Sequence, residues 1–266
     1  MNRFKLGIVL ETTGLPVRRA LAEAAKLGVS GVQVDAVGEL APDKLTDTGR
    51  REFKNLLRTY NLELSALNCP LRRGLDAAEN LQPRIEHVRK VMQLAFDLGP
   101  RRVIVPLPKG PEDAAAPRAV TAREALADLG SFGDRVGSVL ALEAGLDPGD
   151  KVRDYLNTFD TGSLAVNFDP ANFLLNGFDP LASLAALAGK VAHTHARDAR
   201  TATVRGGARE VPIGAGDIEW MAYVATLESI GYSGYLTVDR EQGEDRFADV
   251  AAGVKFLRRF VSPSQE

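Results

Sequence analysis

Short apolar runs alternate with longer amphipathic segments along this chain, and the alternation repeats eight times. Apolar runs of about four to eight residues are typical of buried strands, whereas apolar residues spaced three and four apart predict helices. The predicted strands cover 5–10, 31–34, 62–67 and 102–105, and four more end at Glu143, at Asp169, near His195 and at Asp239. The predicted helices cover 17–27, 46–60, 81–98, 120–132, 151–158, 180–187, 218–230 and 246–261. Such alternation predicts parallel strands joined by right-handed crossovers.

Eight strand–helix units in 266 residues favour an α/β fold, a closed (β/α)8 TIM barrel that forms one domain over residues 1–266. An open, doubly wound sheet is the alternative. It would normally carry a glycine-rich phosphate-binding turn after the first strand. Residues 10–16 read LETTGLP, which is not that motif.

Composition narrows the classes of partner. The formal net charge is −2 and no basic stripe is visible, which argues against nucleic acid, because binding phosphates requires clustered Lys and Arg. The single cysteine, Cys69, excludes an internal disulfide and fits a reducing compartment. No apolar run has the length of a signal peptide or of a membrane span. We therefore expect a cytoplasmic protein with no membrane or nucleic-acid partner.

Each of the last four predicted strands ends in a side chain that can bind a metal ion: Glu143, Asp169, His195 and Asp239. The carboxyl ends of barrel strands meet on one rim, where the active sites of these barrels lie. Any one of the four would more often cap a helix or pair with an arginine. Four on consecutive strands favour a shared divalent cation, Mn²⁺, Mg²⁺, Co²⁺ or Zn²⁺.

Other polar residues fall near the same predicted rim. Glu11, Asp35 and Asn68 follow earlier strands, and they would either contact a polyhydroxy substrate or cap a helix. Side chains two apart share a strand face, so His193 accompanies His195 and Glu241 accompanies Asp239.

Between strand seven and its helix lies a glycine-rich loop, 205–217. It would either fold over the site as a lid or be an ordinary loop that ends with Asp217 as a helix N-cap.

Five motifs resemble the xylose-isomerase-like TIM-barrel superfamily, with the sugar phosphate isomerase/epimerase proteins as nearest relatives. They are EAG at 143–145, NFDPAN at 167–172, HTHARD at 193–198, PIGAGDIEW at 212–220 and GYLTVDRE at 234–241. The resemblance implies one metal held by Glu, Asp, His and Glu from strands five to eight. Glu143, Asp169 and His195 match the first three positions. The fourth falls on Asp239, a residue one methylene shorter than the usual Glu, and Glu241 on the same face is the alternative.

The resemblance also implies substrate contacts. His193 and Arg197 match positions that often touch substrate in these proteins. Ketose 3-epimerases have a histidine three residues after the strand-six aspartate, and this chain has Asn172 there. Together with Glu11 and Asn68, these residues form the predicted substrate-binding set.

The implied function is a divalent-metal-dependent isomerase or epimerase of a sugar or sugar derivative. It would act by proton transfer through a metal-stabilised enediolate, with Glu143 on one side of the carbon and Asp239 or Glu241 on the other. Mn²⁺ is the expected cofactor, and a homodimer is compatible with the family. A metal-dependent lyase on 3-keto sugars or glycosides, and a non-catalytic sugar-binding barrel, are the alternatives.

Overall fold

The computed structural model describes residues 4–203 and 206–261. Its strands are β1 Lys5–Val9, β2 Gly31–Asp35, β3 Glu63–Asn68, β4 Arg102–Pro106, β5 Val139–Glu143, β6 Leu164–Phe168, β7 Val191–Ala196, β8 Asp198–Arg200, β9 Arg209–Val211 and β10 Tyr235–Val238. Its α-helices are α1 Val17–Lys26, α2 Asp47–Thr59, α3 Leu81–Leu98, α4 Pro117–Val136, α5 Gly149–Leu156, α6 Pro170–Leu175, α7 Pro180–Ala186, α8 Trp220–Ser229 and α9 Arg246–Val261. Short 3₁₀ helices cover Leu10–Thr13 and Gly38–Leu40.

Eight parallel strands close into a barrel in the order β1-β10-β7-β6-β5-β4-β3-β2, and helices lie between successive strands. The predicted (β/α)8 barrel is confirmed. Helix α3 illustrates the packing, because Ile85, Val88 and Met92 recur at helical spacing and are all buried. No helix within the described residues is long and apolar enough to cross a membrane.

The barrel interior is unusually polar on one side. Gly7 and Gly31 are paired on β1 and β2, and a Cβ atom at Gly31 would overlap the ring of Tyr235. The Tyr235 ring therefore fills the barrel interior near the amino-terminal ends of the strands, and its hydroxyl donates a hydrogen bond to Glu63. Closer to the carboxyl ends of the strands, the inward positions carry hydrogen-bonding side chains rather than the branched aliphatic side chains that are common in such barrels. These buried side chains are Gln33, Asn167, His193, His195 and Thr237.

Strand six is one residue shorter than predicted, because it ends at Phe168 and a helix follows at once. Asp169 is the N-cap of α6, and its Oδ1 accepts hydrogen bonds from the backbone N–H groups of Ala171 (2.9 Å) and Asn172 (3.3 Å). Pro170 occupies the first helical position, where its missing N–H costs nothing. The sequence analysis did not predict α6, because six residues are too few to show helical periodicity.

The glycine-rich segment after strand seven also differs from its prediction. Val204 and Arg205 lie outside the described residues, but β9 pairs antiparallel with β8 to form a hairpin beside the barrel. The predicted N-cap role of Asp217 is wrong, since α8 begins after Glu219. Asp217 instead accepts hydrogen bonds from the backbone N–H and the hydroxyl of Thr201, both at 2.9 Å, and so joins the segment after β9 to the residue that follows β8.

Candidate metal centre

Three of the four predicted metal ligands converge at the carboxyl end of the barrel. One ligand atom from each of Glu143, Asp169 and His195 lies within 4.8 Å of the other two. Nδ1 of His195 is 3.1 Å from Oε1 of Glu143 and 3.7 Å from Oδ2 of Asp169. Ligands bound to one cation at about 2.0–2.2 Å stand about 2.8–3.6 Å apart, in octahedral or tetrahedral geometry. The 3.1 Å separation falls in this range and the 3.7 Å separation lies just above it, and two carboxylates with one imidazole are a donor set that suits a divalent cation.

Asp169 is held from two directions. Its Oδ1 caps α6, and its Oδ2 accepts a 2.7 Å hydrogen bond from Nη1 of Arg197. Burial by itself raises the pKa of Asp169, but the charges of Arg197 and His195 outweigh it and hold the pKa below its usual value. Asp169 thus presents an ionised oxygen to the cluster. It also caps a helix and pairs with an arginine, which are the ordinary roles of an acidic residue at the end of a strand.

His195 is buried between opposite charges. Burial opposes its protonation, but its hydrogen bonds to Asp169 and Glu143 raise the pKa to about 10. On the other side of the ring, Nε2 lies 2.9 Å from Oε1 of Gln33 on β2. When no cation is bound, the imidazolium proton therefore provides the positive charge between the two carboxylates.

A chain of buried hydrogen bonds supports Glu143 from below. Burial lowers the pKa of His193 well below its usual value, so its ring is neutral. Its Nδ1 lies 3.0 Å from Oδ1 of Asn167 and its Nε2 lies 3.1 Å from the hydroxyl of Thr237. Nδ2 of Asn167 in turn donates to Oε1 of Glu143 at 3.4 Å. His193 is thus buried in the barrel interior, and its predicted contact with substrate stays a prediction.

Arg197 is buried, with only 2% of the residue exposed, and its guanidinium group lies close to the remaining acidic groups around the cluster. Nη1 donates to Asn172 (3.1 Å) and Nη2 lies 3.0 Å from Glu241. Nε lies 3.5 Å from Glu210 and 3.9 Å from Asp239. Arg197 and Asn172 bind each other, so contact with substrate stays a prediction for both.

Glu210 is a buried carboxylate on β9 that was not predicted from the sequence. It accepts hydrogen bonds from the backbone N–H groups of Glu241 (3.1 Å) and Gln242 (2.9 Å), and it lies 3.3 Å from Arg240. The hairpin is thereby attached to the segment that follows β10. No sequence signal marks Glu210, because it lies on a three-residue strand within a glycine-rich loop.

Asp239 and Glu241 stand beside the cluster rather than inside it. Asp239 directly follows β10, lines the same cavity, and accepts a 2.7 Å hydrogen bond from the backbone N–H of Arg240. Burial raises the pKa of Asp239, and it raises the pKa of Glu241 to about 7. Which of the two is the fourth ligand stays a prediction.

A cavity of about 180 Å³ opens in front of these groups, and Glu11, Asp35 and Asn68 line its far wall. Oε1 of Glu11 accepts the backbone N–H of Asp35 (2.7 Å), and Nδ2 of Asn68 donates to the Asp35 carboxylate (2.8 Å). The second oxygen of Glu11 is buried without a hydrogen-bond partner, and burial and Asp35 raise the pKa of Glu11 to about 7. The volume is below the roughly 300–1,000 Å³ of drug-sized pockets, which suits a small polar ligand.

Comparison with known proteins assigns the family. The profile of the xylose isomerase-like TIM barrel family matches residues 21–260, and the chain belongs to this family. Comparison with curated proteins gave no significant match.

Solved structures with similar folds include a xylose isomerase domain protein from Planctomyces limnophilus, with 24% identity, 97% of this chain and 99% of that chain covered, and a TM-score of 0.83. A xylose isomerase-like TIM barrel protein from Mycobacterium smegmatis in complex with magnesium has 16% identity, 97% coverage of both chains and a TM-score of 0.78. An L-ribulose 3-epimerase has 17% identity, 99% coverage of both chains and a TM-score of 0.74. At these identities the likeness shows the shared fold.

We predict that His195 stays protonated at pH 8 in protein treated with a chelator. Its folded pKa of about 10 lies above the ordinary value near 6.5, so its charge stabilises the fold fully below pH 6.5, and this contribution is lost as pH rises through 10. NMR titration can follow the imidazole signals, because the chain has only three histidines. Glu143→Gln should lower the midpoint of His195. A His195 midpoint near 6.5 in the wild type would contradict the ion-pair geometry.

Proposed function

We propose that the protein is a divalent-metal-dependent sugar isomerase or epimerase that moves a proton at the carbon beside a carbonyl group. The observation that carries the proposal is the convergence of Glu143, Asp169 and His195 on one point at the mouth of the barrel. Family membership and the fold shared with an L-ribulose 3-epimerase support it. The structure of a protein of similar fold in complex with magnesium supports a divalent cation as the cofactor.

The residues around the cavity can perform the proton transfer. A divalent cation bound to Glu143, Asp169 and His195 would polarise a substrate carbonyl and make the neighbouring C–H more acidic. Glu143 and Asp239 both line the cavity, so one carboxylate can remove the proton and the other can return it. Glu241, with a pKa of about 7, suits either direction of transfer at neutral pH and is the alternative to Asp239.

The opposite wall would hold the hydroxyl groups of the substrate. Glu11, Asp35 and Asn68 line this wall of the cavity with carboxyl and amide groups, and the second oxygen of Glu11 is buried with no hydrogen-bond partner. In the cell we expect Mn²⁺ as the cation, a cytoplasmic location and a homodimer, and each of these is part of the proposal.

Glu143→Gln should reduce the reaction by about 10²–10⁴ fold, because the amide can neither take nor return a proton. The assay is solvent deuterium uptake by a panel of keto sugars, inososes and 3-keto glycosides, which reports deprotonation at carbon whatever the product. Glu112→Gln, an exposed residue of the loop after β4, is the matched control and should retain full exchange. Exchange near the wild-type rate in Glu143→Gln would refute its catalytic role.

The fourth ligand can be identified by metal content. If Asp239 completes the site, Asp239→Asn should lose bound cation after dialysis while Glu241→Gln retains it, measured by elemental analysis of the purified proteins. Loss of metal in Glu241→Gln alone would assign the position to Glu241.

A further inference from the structure

Gln33 extends from the opposite side of the barrel to His195. It is buried at the middle of β2, and Oε1 lies 2.9 Å from Nε2 of His195, which is 162 positions away in the sequence. Strands β1 and β10 lie between β2 and β7 in the barrel order. The Gln33 side chain therefore spans the interior to reach a histidine three strands away, while its neighbours on the same strand face are Gly31 and Asp35.

A neutral imidazole carries its proton on one nitrogen and its lone pair on the other. Nδ1 of His195 is the nitrogen that faces Glu143 and Asp169, so cation binding there requires the proton on Nε2. An amide oxygen can only accept a hydrogen bond. Oε1 of Gln33 therefore favours the tautomer that leaves Nδ1 free to bind a cation.

The neighbouring amide cannot take this role. Nδ2 of Asn167 is 3.4 Å from Nε2 of His195, but an amide nitrogen only donates. The orientation of Asn167 is fixed, because its Oδ1 lies 3.0 Å from Nδ1 of His193 and its Nδ2 donates to Glu143. Among the described hydrogen bonds, Gln33 thus supplies the acceptor for Nε2.

We propose that Gln33 is a positioning residue that fixes the tautomer and ring orientation of His195, so that Nδ1 points into the candidate cation site. The inference rests on the proposed function, because Gln33 would orient His195, which is itself a proposed metal ligand. Gln33 would act through His195 and not on the substrate, and its effect would appear first in cation affinity.

The test compares Zn²⁺ affinity, measured by competition with a chromophoric chelator, across four proteins. Gln33→Met keeps a similar side-chain volume but removes the acceptor, and we expect affinity to fall by about 10–100 fold. Gln33→Glu keeps an acceptor at the same reach and should bind within about threefold of the wild type or more tightly, since charge-assisted hydrogen bonds are stronger. Gln93→Met is the matched control, the same substitution at an exposed glutamine of α3 whose amide donates to Asp97, and it should leave affinity unchanged.

A second readout is independent of affinity. In the zinc-loaded wild type, ¹⁵N chemical shifts of His195 should report a protonated Nε2 and a ligated Nδ1, and both Gln33→Glu and Gln93→Met should show the same pattern. This spectrum and the Gln33→Glu affinity decide the question even if circular dichroism shows that Gln33→Met does not fold.

Two results would overturn the inference while leaving the proposed function intact. They are a wild-type spectrum with Nε2 as the zinc ligand, and a folded Gln33→Met protein with unchanged affinity. If the wild type binds no Zn²⁺, or if Glu143→Gln, Asp169→Asn and His195→Gln bind it as tightly, the proposed metal site fails, and the role of Gln33 fails with it.

Discussion

The candidate site depends on a buried imidazole held between two carboxylates. Nδ1 of His195 lies 3.1 Å from Glu143 and 3.7 Å from Asp169; His195 and Asp169 are buried, whereas 23% of the Glu143 side chain is exposed to the cavity. Removing one partner of a buried ion pair costs about 3–5 kcal/mol, because the other charge is left uncompensated. Each of the three charges is therefore stabilised by the other two, and a bound cation would take the place of the histidine proton.

The barrel brings them together through adjacent strands. Residue pairs along β5, β6 and β7 place Glu143 beside Asn167 and Asn167 beside His193, so each candidate ligand is one strand away from the next. Each ligand also has a second partner that fixes its direction. Asn167 supports Glu143, the first turn of α6 and Arg197 support Asp169, and Gln33 supports His195. The β8–β9 hairpin adds Glu210, which binds both Arg197 and the segment that carries Glu241.

Much of this arrangement could be predicted from the sequence, because parallel strands expose their carboxyl ends on one rim. The eight alternating strand–helix units were enough to predict the barrel, and the apolar runs that end at Glu143, Asp169 and His195 were enough to predict that these residues converge. The supporting contacts could not be predicted, since Gln33 reaches His195 from 162 positions away and Glu210 lies on a strand of three residues. Helix α6 was missed because its six residues are too few to show helical periodicity. The fourth ligand was ambiguous in the sequence because Asp239 and Glu241 share a strand face, and both lie close to the cluster in the structure.

Anomalous diffraction from crystals grown with Zn²⁺, recorded at the zinc absorption edge, is the most direct test of a shared cation. The account predicts one peak at about 2.0–2.2 Å from a carboxylate oxygen of Glu143, from Oδ2 of Asp169 and from Nδ1 of His195. A zinc peak elsewhere, with Nδ1 of His195 still hydrogen-bonded to Glu143, would contradict it.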